Sequence, residues 1–157
     1  MISGFCWPQS GVAKDKISLF CRSTETNIRA EVIRQGLKDE LVWSTDRLRA
    51  DTKSETNGVN QHGCDWDLGT ELSIQSDWPS GFYLVRFETA QSEIAEAYFV
   101  VRSQKPLDAI LVLSTSTWAA YNNWGGPSFY TGSHVSSFER PLPKGFLAKE
   151  DLHRFRI

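Results

Sequence analysis

The chain has 157 residues, of which 40% are hydrophobic and 23% charged, so it can form one large domain and is too apolar to be intrinsically disordered over most of its length. Seventeen basic and nineteen acidic side chains give a net charge of −2, which excludes the basic surface of a protein that binds nucleic acid or an anionic membrane. No window approaches the roughly 18 consecutive apolar residues of a membrane span, and no signal-peptide pattern follows Met1, so we expect a cytoplasmic protein.

Three cysteines, Cys6, Cys21 and Cys64, are scattered along the chain without the CxxC spacing of a zinc site. An odd and dispersed set favours buried thiols over a disulfide framework. One alternative stays open, because Cys6 and Cys21 could bridge a hairpin in an oxidising compartment.

Between residues 17 and 101 the apolar residues recur with period two and are interrupted by turn formers, which is typical of short antiparallel strands in a sandwich. The runs 16–21 and 28–34 both alternate and are predicted to be neighbouring, half-buried strands. Residues 41–43 are a weaker strand candidate. Residues 47–60 are polar and predict a mobile surface loop.

Residues 68–74 and 82–87 are predicted to form a hairpin around the turn at 77–81, which contains proline and glycine. Residues 97–102 are the last strand of this series. A proline and several polar residues at 103–106 then indicate a linker. We therefore predict a mainly β chain, with an antiparallel sandwich over residues 1–105.

The pattern changes after residue 105, because residues 109–113 are continuously apolar, as in a strand of a parallel sheet that is covered on both faces. Residues 114–117 can cap a short helix over 118–121, and glycines and a proline predict a loop after it. One parallel strand cannot bury both of its faces alone. Residues 106–157 are therefore predicted to be the N-terminal portion of a truncated α/β domain, or a docking tail.

The densest group of chemically distinctive side chains directly follows this predicted strand, where ligands gather in open α/β sheets. Tyr121 and Tyr130 offer phenol groups that can donate hydrogen bonds or, when deprotonated, bind a hard ferric ion. Asn122, Asn123 and Ser128 add neutral donors and acceptors. The alternative is that the aromatic residues simply form a packing cluster under a long loop.

Two segments, residues 110–130 (ILVLSTSTWAAYNNWGGPSFY) and 135–141 (VSSFERP), closely resemble the large (beta) subunit family of N,N-dimethylformamidase. The upstream segments 63–66 (GCDW), 77–86 (DWPSGFYLVR) and 99–102 (FVVR) resemble the β-sandwich that precedes the C-terminal domain in that family. The resemblance covers most of the chain from residue 17 to residue 141.

This resemblance implies an amidohydrolase that cleaves a small amide C–N bond. It also implies a mononuclear iron, held by two tyrosines and a glutamate in an α/β domain similar to class I glutamine amidotransferases. Tyr121 matches the first tyrosine motif and Tyr130 is the candidate for the second. The candidate substrate-binding residues lie around them and are Asn122, Asn123, Trp124 and Ser128.

The glutamate ligand is expected downstream of the Phe-Glu-Arg-Pro motif at 138–141. Neither Glu139 nor Glu150 lies in a matching context, so the implied iron site is incomplete. Hydrolysis by this chain then requires a carboxylate from elsewhere.

A second hypothesis is a non-catalytic binding or assembly module, in which the sandwich recognises a carbohydrate or a partner protein. Its candidate ring faces are those of Trp7, Trp43, Trp66 and Trp78, although tryptophans beside turns more often close the end of a sandwich. Apolar residues in the tail also predict contact with a second copy or a partner chain; they are Phe146, Leu147, Phe155 and Ile157.

Overall fold

The computed structural model describes residues 1–54 and 57–147. The strands are β1 (Ser3–Trp7), β2 (Ser10–Gly11), β3 (Lys16–Arg22), β4 (Asn27–Gln35), β5 (Glu40–Arg49), β6 (Thr70–Ser73), β7 (Gly81–Glu88) and β8 (Ile94–Val101). The helices are α1 (Val59–His62), α2 (Thr115–Tyr121) and a 3-10 helix at Phe129–Thr131. No helix in the described part of the chain is long and apolar enough to span a membrane.

Two sheets face each other and confirm the predicted mainly β sandwich. One has the strand order β1-β3-β6 and is antiparallel. The other has the order β2-β8-β7-β4-β5 and is antiparallel except where β2 runs parallel to β8. The core lies between them, where the inward side chains of both sheets are almost fully buried. They include Ile17, Leu19 and Cys21 from β3, and Ile28, Ala30 and Val32 from β4.

Strand pairing differs from the prediction at two places. The runs 16–21 and 28–34 are strands, but β3 and β4 belong to different sheets. The predicted hairpin is also wrong, because β6 pairs with β3 whereas β7 pairs with β4 and β8. Both errors have one cause, since alternation fixes which face of a strand is buried and leaves its neighbours open.

The segment between β6 and β7 crosses from one sheet to the other and closes that end of the sandwich. Trp78 stacks on Tyr83 with ring centroids 5.4 Å apart. The Tyr83 hydroxyl donates a hydrogen bond of 2.6 Å to the backbone oxygen of Pro79. The proline and glycine of this segment therefore shape a crossover rather than a hairpin turn.

The predicted loop over 47–60 is shorter than expected at both ends. Strand β5 continues to Arg49, because Leu48 is buried in the core and holds the strand end against the sheet. At the other end the chain folds into α1 from Val59.

The predicted parallel strand over 109–113 is absent, since residues 106–114 have no regular secondary structure. A strand needs a neighbour for its backbone hydrogen bonds, and no described strand lies alongside this run. Leu113 packs towards the sandwich, whereas Ile110 and Val112 are 85% and 78% exposed. The predicted helix is present as α2, although the Ser114 side chain accepts no capping hydrogen bond.

The chain after β8 covers part of the outer face of the larger sheet. Phe82, Leu84 and Tyr98 form a second apolar cluster on that face, and Leu147 is buried against them. The other residues packed on this cluster include Trp118, Leu142 and Phe146. Two of the four apolar tail residues therefore contact their own chain, while Phe155 and Ile157 lie outside the described residues.

The expectation of buried thiols is confirmed at two of the three cysteines. Cys6 and Cys21 are buried in the core and Cys64 is half-buried, with no disulfide among the described residues. In the β1–β3 pairing Cys6 lies opposite Leu19, and Gly4 lies opposite Cys21. The two buried cysteines are thus diagonal neighbours, about 7–8 Å apart by the geometry of antiparallel pairs, which is too far for a disulfide.

Candidate functional site

Helix α1 supports the loop that connects the two candidate tyrosines. Its buried residues Val59 and Asn60 face Gly125 and Gly126. A Cβ atom on Gly125 would lie 2.3 Å from Val59 Cγ2, and one on Gly126 would lie 2.8 Å from the side chain of Asn60. Both glycines also have positive φ angles, +72° and +149°. The loop can approach α1 this closely because these two residues have no side chain.

Hydrogen bonds fasten the same loop to α1 and to the residues after it. Asn60 Nδ2 donates to the backbone oxygen of Pro127 at 2.9 Å, and Ser137 N donates to the backbone oxygen of Asn60 at 3.0 Å. Cys64 N donates to the backbone oxygen of Glu139 at 2.8 Å. These bonds join distant parts of the chain directly, since Asn60 and Pro127 are 67 positions apart.

A line of aromatic contacts joins the smaller sheet to this loop. Phe5 stacks on Phe20 at 4.7 Å between ring centroids, and the ring of Trp66 lies 5.5 Å from Phe5. Trp66 in turn meets Trp124 edge to face, with centroids 5.8 Å apart and an interplanar angle of 82°. Such edge-to-face pairs add about 0.5–1.5 kcal/mol beyond the burial of the rings. Trp124 is thereby held against the sandwich.

The structure brings Tyr121 and Tyr130 together. Their rings stack with centroids 4.3 Å apart and an interplanar angle of 23°. Tyr121 is the last residue of α2 and Tyr130 lies in the 3-10 helix, so the glycine loop between them reverses the chain direction. The two side chains are 54% and 65% exposed, and Phe129 beside them is also exposed. The result is an aromatic surface that solvent reaches directly.

Asn122 lies beneath this surface rather than on it. Its side chain is buried, with Nδ2 donating to the backbone oxygen of Pro141 at 2.9 Å and Oδ1 accepting from Trp124 N at 2.9 Å. The cavity that it lines has a volume of about 10 Å³, which is room for one water molecule at most. In this structure Asn122 joins the beginning of the loop to the backbone of Pro141.

The other candidate substrate-binding residues differ in how exposed they are. Asn123 is exposed beside Tyr121, and Trp124 is half-buried against Trp66. Ser128 is buried, and its backbone N–H donates to Thr131 Oγ1 at 2.8 Å at the start of the 3-10 helix. Among these residues only Asn123 is placed to meet a ligand on the aromatic surface.

Arg140 is a central residue that sequence reasoning missed. It is 2% exposed, and its guanidinium donates to the backbone oxygens of Ser137 (3.1 Å), Asn122 (2.9 Å) and Trp124, and to Ser136 Oγ (3.0 Å). Burial lowers the pKa of Arg140, while the Cys64 thiol acts in the opposite direction. An arginine stays charged even so, and here its charge is satisfied by carbonyl and hydroxyl oxygens. Its sequence signal is the arginine of the Phe-Glu-Arg-Pro motif.

Asp51 fixes the segment that leads to α1. Its carboxylate accepts hydrogen bonds from Lys53 N at 2.6 Å and Asp67 N at 2.7 Å, and Lys53 Nζ lies 3.7 Å from it. Burial alone would raise the pKa of Asp51, but these backbone hydrogen bonds and the Lys53 charge outweigh it and lower that pKa. The carboxylate thereby holds both ends of residues 51–67, which include α1 and Trp66.

The residues at the tyrosine pair supply part of the donor set that an iron ion of the implied type needs. Their rings are stacked, so two phenol groups lie on one surface. Within residues 1–54 and 57–147, however, no group of three or more histidine, cysteine, aspartate or glutamate side chains could hold a metal ion. Glu150 lies outside the described residues.

The tryptophans considered for a carbohydrate site are mainly packing residues. Trp66 is buried, and Trp78 is packed against the core while stacking on Tyr83. Trp43 also packs against the core. Trp7 alone of the four has substantial exposure, at 37%.

Comparison with family models gives a match over residues 29–153 to the N,N-dimethylformamidase beta subunit-like family, C-terminal region. The chain belongs to this family. The matched residues begin within β4 and include the larger part of the sandwich, α1, both tyrosines and Arg140. No curated protein and no solved structure matches the chain.

Proposed function

We propose that this dimethylformamidase-like chain takes part in the hydrolysis of small amides, with the surface around Tyr121 and Tyr130 as its reactive region. The observation that supports this most directly is the 4.3 Å stacking of two tyrosines that lie nine positions apart. The buried hydrogen bonds of Arg140 to Asn122 and Trp124 fix the backbone next to Tyr121. We further propose that the protein acts in the cytoplasm, where the buried Cys6 and Cys21 thiols stay reduced.

Iron is the proposed cofactor, with the phenol oxygens of Tyr121 and Tyr130 as two of its ligands. Hard anionic oxygens suit ferric iron, and when bound the ion supplies Lewis-acid chemistry that polarises an amide carbonyl. The protein would orient the amide through Asn123, which is exposed beside the pair. The third ligand is a carboxylate supplied from outside the described residues or by another chain.

The decisive test is the visible spectrum of protein purified and kept with iron, because ferric tyrosinate absorbs strongly. We expect a coloured protein, with the band weakened in Tyr121→Phe and Tyr130→Phe. Phe129→Leu is the matched control, since it changes an exposed ring on the same surface that has no oxygen. A colourless protein without bound iron, or a band that persists in both tyrosine variants, would contradict the proposal. Release of dimethylamine from N,N-dimethylformamide is the corresponding activity assay.

We also propose that residues 109–113 become a strand of an α/β domain when a neighbouring strand is present. The exposure of Ile110 and Val112, with Leu113 facing the sandwich, is consistent with an extended run that has one covered and one uncovered face. The neighbouring strand would come from further chain or from a second copy. We expect self-association in light scattering that Val112→Lys reduces. If the original chain and the variant had equal masses at every concentration, a second copy would be excluded as the source of the neighbouring strand.

A further inference from the structure

A groove beside β8 has no role in the proposed amide hydrolysis. It has a volume of about 510 Å³ and lies between the β1–β2 connection, β8 and the chain leading into α2. Neither Tyr121 nor Tyr130 lines it. The volume falls in the range of about 300–1,000 Å³ that small-molecule sites usually have.

Most of the side chains that line the groove are apolar or aromatic. Val100 and Leu113 line it together with Trp7 and Phe138, which are each 37% exposed. A large aromatic side chain that stays partly exposed beside a concave apolar surface offers a face on which a flat or aliphatic ligand can stack. These side chains would bury the apolar body of a ligand.

The polar groups of the groove select the charge of that ligand. Arg102 is the one charged residue among those lining the groove, and it is exposed, with no ion pair from its side chain to any described residue. Gln9 uses its Oε1 to accept a hydrogen bond from the Tyr98 hydroxyl at 3.2 Å, which leaves its N–H groups as donors. A cation and an amide donor beside apolar walls are complementary to an anionic oxygen group.

We propose that this groove binds a small carboxylate with an apolar body, with the carboxylate at Arg102 and Gln9 and the body between Trp7 and Phe138. The site is separate from the tyrosine pair and does not depend on iron or on amide hydrolysis. An aryl carboxylate meets both requirements, because its ring can stack on Trp7 while its charge pairs with Arg102.

The probe for this proposal is 3-phenylpropionate, with 3-phenylpropionamide as the uncharged probe of the same shape. Binding is followed by NMR through the side-chain N–H signals of Trp7 and Arg102. We expect both signals to shift with the acid, and the amide to bind about fivefold more weakly, as the loss of one partly solvated ion pair implies. Added salt should weaken binding of the acid and leave binding of the amide unchanged.

Two variants separate the charge from the apolar wall. Arg102→Gln removes the charge from an exposed residue and should make acid and amide bind equally, whereas Lys105→Gln, an exposed cation outside the groove, should leave the difference intact. Trp7→Leu should weaken both probes. Equal binding of acid and amide to the original protein, an Arg102→Gln variant that still prefers the acid, or no shift of either signal would overturn the proposal.

Discussion

Arg140 Nη2 donates a hydrogen bond of 2.9 Å to the backbone oxygen of Asn122, the residue that directly follows α2. The same guanidinium donates to the backbone oxygens of Trp124 and Ser137, so one side chain joins the beginning of the loop to the segment that follows Tyr130. A guanidinium can do this because its five N–H donors lie in one rigid plane. The position of both tyrosines thus depends on a residue that neither of them contacts in the described hydrogen bonds.

Replacing this side chain tests that dependence. Arg140→Met keeps similar bulk but leaves several buried carbonyl groups without donors, so we expect a loss of about 3 kcal/mol in the free energy of unfolding, measured with urea. Arg47→Met, at an exposed position of β5, is the control and should change stability by less than about 0.5 kcal/mol. Equal midpoints for the two variants would show that the buried network has little structural importance.

The contact between Gly125 and α1 gives a second prediction. Gly125→Ala places a methyl group against Val59 at a position with φ of +72°, so we expect steric conflict and backbone strain to destabilise the protein by about 2–3 kcal/mol. Gly145→Ala has a similar φ of +78° with no atom within 4 Å of the new Cβ, and it should show the strain alone. Thermal unfolding of both variants separates the two effects. Identical losses would mean that Val59 yields without cost.

The lowered pKa of Asp51 should make the stability of the protein depend on pH. Its folded-state pKa lies below the ordinary value of 3.8, so its contribution is complete above that value and is lost as the pH falls through the folded-state pKa. We expect Asp51→Asn to be about 2 kcal/mol less stable at pH 7, with the difference shrinking below about pH 4. Exposed Asp46→Asn should change little at either pH. A constant difference between pH 7 and pH 3 would contradict the assignment.

Thiol labelling tests the burial of the cysteines. Burial raises the pKa of Cys21 to about 12 and raises that of Cys6 as well, so neither forms the reactive thiolate at pH 8. With a chromogenic disulfide reagent we expect no more than one thiol to react in the native protein and all three to react in denaturant. Cys64→Ser supplies the control, and rapid labelling of its native form would show that Cys6 or Cys21 is accessible.

The local character of the sandwich could be predicted from the sequence, but its connectivity could not. Strands β3 and β4 followed from alternation, because each has one face in the core, and β7 followed from its β-forming residues. Strand β1 has no such pattern, since Gly4, Phe5 and Cys6 are all buried: the strand is covered on both faces, with Phe5 against Phe20 and Gly4 close to the ring of Phe87. Partners along the sheets depend on packing between distant segments, which a local pattern does not contain.

The sequence likewise predicted the exposed tyrosines of the candidate site but not the residues that support them. Residue type and resemblance indicated Tyr121 and Tyr130, and the structure brings their rings together. The support under them was not predictable, because Val59, Asn60 and Arg140 gain their importance from contacts across more than one element. A polar residue such as Asn122 looks identical in sequence whether its amide faces a ligand or a backbone oxygen.

The attachment of the loop to α1 has a consequence for the order of assembly. Contacts between residues 67 positions apart can form only after a long segment of chain has been closed, and such closure is slow. The loop that carries the tyrosines should therefore be fixed later than the local strand pairs β4–β5 and β7–β8. During partial opening of the native protein the two rings should also separate early, so the aromatic surface would change with temperature or denaturant while the sandwich is still intact.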